Sequence, residues 1–121
     1  MGAGCFLGPL ATVSVDAIIG DHTILHIHCS IGHDSILGRH CSILPGARVS
    51  GDVTLGEGVL IGSNAFIFQG SRVGDHTHVD ALTYVRGEIQ DRQIVSVRYP
   101  RPLIRAGWGT GIVDDGVNRE G

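Results

Sequence analysis

At 121 residues the chain is the size of one domain, and 42% hydrophobic residues with one Trp, two Tyr and three Phe argue against a conventional globular core. A formal charge of −3, carried against nine cationic residues that are all arginine, argues against a nucleic-acid partner. No apolar run approaches the roughly 20 residues that a bilayer span needs and no segment reads as a signal peptide, so the sequence points to a cytoplasmic protein without a membrane partner.

From its first residue the chain is organised by a step of six. Met1, Leu7, Val13, Ile19, Leu25, Ile31, Leu37, Ile43, Val49, Leu55, Ile61, Ile67, Val73, Val79 and Val85 are all aliphatic. Four residues after each of the first fourteen comes a small side chain, from Cys5, Ala11 and Ala17 through to Ser71, Thr77 and Thr83. One residue after each step is glycine in eight of the fifteen cases, and glycine at a corner suggests a backbone at positive φ. A helix repeats at 3.6 and a lone strand at 2, so neither gives this pattern. Six-residue units of one short strand and one corner do give it, three to a triangular coil of eighteen residues. Fifteen steps make about five coils stacked as parallel strands, about 4.8 Å apart. Residues eighteen apart in sequence are then neighbours in space.

The register fails after Val85, because position 91 is Asp91, and the coil stack is expected to occupy residues 1–88. Residues 89–105 would form a short C-terminal cap over the last coil's open strand edges, and 106–121, which have no periodicity, a flexible tail.

All three cysteines, Cys5, Cys29 and Cys41, fall on the small inward position, so they read as small core residues with no metal or catalytic role. His22, His40 and His76 share one outward corner position, with His22 stacked on His40 and Gly58 interrupting the column before His76. The stretch "HIHCSIGHDS" gathers His26, His28, His33 and Asp34 around neighbouring corners.

The repeat resembles that of the left-handed parallel β-helix acyltransferases, and the left hand is implied by that resemblance alone. "IGHDSILG", followed by "PGARVSGDVTLGEGVLIGSNAFI", is similar to the sugar O- and N-acetyltransferases of the sialic acid and UDP-amino-sugar type, over roughly residues 4–100. The resemblance implies acetyl-CoA as acyl donor, a homotrimer, and a sugar, sugar nucleotide or other small acceptor. It implies His33 as general base and Asp34 as the carboxylate that orients it. It places acetyl-CoA between two subunits, against the positions of Gly51, Ser63 and Asn64. Imidazole suits the base on chemical grounds: the acceptor must shed a proton as it attacks, and a pKa near ~6.5 serves at neutral pH. Arg86, Arg92, Arg98, Arg101 and Arg105 would hold the nucleotide phosphates at the far end of the groove, Arg98 and Arg101 foremost.

Two departures stand out. Many relatives have a second histidine nine residues after the first, where this chain has Ser42. Relatives also carry an N-terminal nucleotide- or sugar-binding domain, whereas the repeat here begins at Met1; the expectation is a helix lacking that domain. Two competing readings stay open. His28 and His33, spaced H-x4-H, also resemble zinc ligands of the γ-class carbonic anhydrases, although no histidine precedes His22 to supply the third. The other competitor is a non-catalytic β-helix serving as an assembly module.

Overall fold

The computed structural model describes residues 1–97 and, beyond them, two short strands, Ile104–Arg105 and Ile112–Val113, which pair antiparallel. Sixteen two-residue strands in residues 1–97 form three parallel sheets, the faces of a triangular prism. The first face holds Phe6–Leu7, Ile24–Leu25, Ser42–Ile43, Leu60–Ile61, His78–Val79 and Ile94–Val95. The second holds Thr12–Val13, Ser30–Ile31, Arg48–Val49, Phe66–Ile67 and Tyr84–Val85. The third holds Ile18–Ile19, Ile36–Leu37, Thr54–Leu55, Arg72–Val73 and Glu88–Ile89. Pairing is eighteen residues apart, as in Ser30↔Arg48 and Ile36↔Thr54. This is the left-handed parallel β-helix of hexapeptide repeats, and none of the described residues is helical. Accordingly, no helix among them is long and apolar enough to cross a membrane.

The second residue of each strand points inward, and in the middle coils Leu25, Ile31, Leu37, Ile43, Val49, Leu55, Ile61 and Ile67 are sealed from solvent. The small position four residues later completes the core. The buried polar side chains at that position are hydrogen-bonded, most of them to the next coil. Ser35 Oγ donates to Ser50 O at 2.8 Å and accepts from Val53 N at 3.2 Å. Cys41 Sγ faces Gly56 O at 3.2 Å, and burial pushes the thiols of Cys29 and Cys41 up to about 11, which leaves both as inert core groups.

Two sequence expectations are corrected here. Positive φ belongs to the third residue after each aliphatic position, running through Leu10, Asp16, His22, His28, Asp34 and His40 to His76, Leu82 and Arg92. Among non-glycine residues, Asn, Asp and His enter that conformation most readily, which accounts for many of the corner histidines and aspartates. The glycines one residue after the aliphatic position serve another purpose. A Cβ at Gly38 would lie 2.7 Å from the carbonyl carbon and oxygen of Gly56, so these glycines permit the close approach of successive coils.

The stack also runs past residue 88. The second corner of the last coil is two residues short, so Arg72 pairs with Glu88 and His78 with Ile94 at a spacing of sixteen. Gly87, at φ +94°, makes the tight corner and donates its N–H to Ser71 Oγ at 3.2 Å. The inward register resumes with Ile89 and Val95, both packed against the core. What looked like the end of the repeat is a deletion within it.

Candidate active site

Each face ends in a corner, so the prism has three corner columns. His22, His40 and His76 line the third, where the His22 and His40 rings stack at 5.3 Å. His28 lies on the first corner and His33 on the second. All four of the other residues just named have positive φ, which explains a histidine in each place; His33 does not, so its presence has no such backbone explanation.

The second corner carries the expected pair. His33 Nδ1 lies 3.0 Å from Asp34 Oδ2, and the two side chains are 50% and 54% exposed, open to a ligand. The Asp34 carboxylate raises the His33 pKa above 6.5, with Asp52 adding to the effect and desolvation opposing it. A hydrogen bond at Nδ1 leaves Nε2 as the nitrogen able to accept a proton.

Gly51 lies one coil further on, and a Cβ there would stand 2.6 Å from His33 Cε1 and 2.8 Å from Cδ2. The imidazole therefore rests against bare main chain. Asp52 N donates to His33 O at 2.8 Å, which fixes the two corners together. Asp52 was not expected at this site. Its carboxylate joins His33 and Asp34 in a group whose ligand atoms all lie within 4.8 Å of one another. Adding eighteen to Asp34 would have found it.

Ser63 and Asn64 lie elsewhere, on the first corner. They line an open groove of about 580 Å³ with Ile27, His28, Pro45, Gly46 and Arg48. Asn64 N donates to Pro45 O at 3.1 Å, and the absence of a side chain at Gly46 makes room for the Asn64 amide, which a Cβ there would overlap. A smaller cavity of about 250 Å³ shares Ser63 and extends the groove toward Asp80 and Ile94. Of the expected cofactor contacts, Gly51 is thus brought to His33, while Ser63 and Asn64 form a second locus. Arg98 and Arg101 lie outside the described residues, and the side chain of Arg105 is likewise not described. Arg86 stacks its guanidinium 4.6 Å above the Phe68 ring.

The H-x4-H pair does not converge within the chain. His28 and His33 sit on different corners, and the ligand-type cluster of three found among the described residues joins His33 to Asp34 and Asp52, without His26 or His28.

The family model for the bacterial transferase hexapeptide, described as six repeats, matches residues 16–51 and 34–69, the coils that carry both loci. No curated protein matches the chain. Among solved structures, WeeI from Acinetobacter baumannii AYE is similar with TM-score 0.74 and 22% identity, over 78% of this chain and 47% of that one. The acetyltransferase domain of PglB from Neisseria gonorrhoeae FA1090, solved in complex with acetyl coenzyme A, is similar with TM-score 0.66 and 28% identity, over 83% and 58%. A variant of perosamine N-acetyltransferase from Caulobacter crescentus, solved with CoA and GDP-perosamine, gives TM-score 0.67 and 25% identity, over 78% and 50%. The chain thus spans about half the length of the solved structures it resembles.

Proposed function

We propose that the chain is an acetyl-CoA-dependent O- or N-acetyltransferase acting on a sugar, sugar nucleotide or similar small acceptor, with His33 as general base. The observation that carries this reading is the His33–Asp34 pair at 3.0 Å, its free ring nitrogen facing the bare main chain of Gly51. Asp34 holds the Nδ1 proton, keeps Nε2 available and stabilises the imidazolium that forms. The acceptor gives its proton to Nε2 as it attacks the thioester carbonyl, and the imidazolium returns a proton to the departing thiolate. No covalent enzyme intermediate is needed when both substrates are held together, because orientation supplies much of the rate. The high thiol pKa values of Cys29 and Cys41 also favour direct transfer.

The two half-loci fit a homotrimer in which CoA runs between subunits, along the Ser63 and Asn64 groove of one chain toward His33 of another. The acetyl-CoA and GDP-perosamine complexes of the PglB domain and of perosamine N-acetyltransferase support the substrate class. Calorimetry with acetyl-CoA, followed by thiol release in the presence of acceptor, tests the reading. His33→Ala should keep the fold and lose transfer. Turnover unchanged in that variant, or no binding of acetyl-CoA by the parent, removes it.

A further inference from the structure

Asp52 has no part in the reading above, and it occupies a position that a base alone does not require. It lies one coil beyond Asp34, its carboxylate within 4.8 Å of the ligand atoms of both His33 and Asp34. Asp34 commits an oxygen to His33 Nδ1. The ion pairs among the described residues are His33–Asp34 and Arg39–Glu57, so no arginine there neutralises Asp52. Gly51 puts no side chain between Asp52 and the imidazole. His33 therefore looks out on a space bordered by a carboxylate that has no arginine partner among the described residues.

Building on the acyltransferase reading, we propose that Asp52 selects an acceptor amine, captured as its ammonium ion, so that the reaction is N-acetylation rather than O-acetylation. The argument is one of charge. A hydroxyl acceptor is neutral and carries no charge for a second carboxylate to attract. A primary amine, with a pKa of roughly 8–10, arrives mostly protonated at neutral pH and is no nucleophile until it loses a proton. Asp52 attracts the ammonium and turns one N–H toward His33 Nε2. That proton passes to neutral His33. The freed lone pair forms the C–N bond at the thioester carbonyl, the C–S bond of the tetrahedral adduct breaks, and the thiolate takes the proton from His33. The surplus proton on nitrogen leaves to solvent. Ammonium and acetyl-CoA thus give the N-acetyl product, CoA thiol and one released proton, and Asp52 keeps its charge throughout.

The test is acetyl transfer by the full chain to matched acceptors that differ in one group: glucosamine against glucose, and GDP-perosamine against the same sugar nucleotide with hydroxyl in place of the amine. The amine of at least one pair should be acetylated with kcat/KM about tenfold or more above its hydroxyl partner, with one proton released per turnover. Asp52→Asn keeps a residue suited to φ +55°; the loss of its charge acts on His33 with either acceptor, but kcat/KM should fall at least about threefold further for the amine than for the hydroxyl acceptor, the difference lying chiefly in KM. Hydroxyl acetylated as fast as amine, equal effects of Asp52→Asn on both acceptors, or a chain that binds acetyl-CoA yet acetylates neither amine would each overturn the proposal. Failure to bind acetyl-CoA at all would instead remove the acyltransferase reading, and this proposal with it.

Discussion

Gly51 and His33 are eighteen residues apart and in direct apposition, the glycine presenting main chain to the imidazole where any side chain would collide with Cε1 and Cδ2. Gly51 does not sit in the left-handed region of φ, so its backbone conformation is open to any residue. Gly51→Ala should therefore leave thermal unfolding within a few degrees of the parent. The added methyl must push the ring aside or fill the space the thioester needs. Acetyl-CoA affinity should fall at least about tenfold, or roughly 1.4 kcal/mol, measured by calorimetry. Unchanged affinity would put the thioester somewhere other than this corner.

Gly38 offers the opposite case. Its missing Cβ faces the backbone of Gly56 and Glu57 at 2.7 to 2.8 Å, not a side chain that can swing away. Those peptide groups are held in the inter-coil ladder, with Gly38 N donating to Leu55 O and Gly56 N to Val73 O at 2.8 and 2.9 Å. Relief requires the coils to separate. Gly38→Ala should cost at least about 2 kcal/mol of stability, or roughly 10 °C in Tm for a chain of this size. A melting curve that matches that of Gly51→Ala would contradict the distinction drawn between the two glycines.

The coil architecture was legible because its physical cause is one-dimensional. An inward aliphatic residue every six positions and a small residue four further on are facts about sequence spacing, and the eighteen-residue rule then puts Gly51 on His33 and His40 on His22. What failed was whatever depends on backbone torsion. Eight glycines looked like left-handed corners, but the left-handed residues stand two positions later, where Asp34, His40 and Asn64 tolerate that conformation and Leu10, Leu82 and Arg92 also adopt it. The break at Asp91 looked like an end because a shortened corner at Gly87 moves every later inward position by two. Asp52 was missed for a different reason. A carboxylate in "SGD" reads as turn chemistry, and only its stacking over Asp34 relates it to the base.

The raised pKa of His33 gives the site a signed pH dependence. As a base it must be neutral, so kcat/KM should climb as pH rises through a midpoint above 6.5. The hydrogen bond that His33 donates to Asp34 is the largest cause, and Asp34→Asn should bring the midpoint down. For stability the sign is reversed. A group whose folded pKa is raised stabilises the fold fully below its unfolded value near 6.5, and that contribution disappears as pH passes through the raised value. The His33 ring resonances, followed by NMR from pH 5 to 9 in the parent and in Asp34→Asn, check both statements. A midpoint that does not move in Asp34→Asn would show that the carboxylate does not govern the base.

The exposed faces imply an assembly. Ile18 and Ile36 are paired neighbours on the third face, 58% and 46% exposed, and Ile24 on the first face is 37% exposed. Leu60, Phe66 and Phe68 are only half covered. Such a density of apolar groups on flat sheets is more than a lone prism should present to water, and closed threefold packing is a symmetric way to bury it. The chain should run as a trimer at micromolar concentration by light scattering. Replacing Ile36 by Glu leaves the inward Leu37 untouched, so the coil should still fold, yet a charge on the third face should shift the mass toward the monomer. If CoA bridges the Ser63 groove of one subunit and the His33 corner of another, that variant should also lose acetyl-CoA affinity, at least about tenfold. A parent of monomer mass would sink the trimer. A monomeric Ile36→Glu that binds acetyl-CoA as tightly as the parent would place the whole cofactor site within one chain.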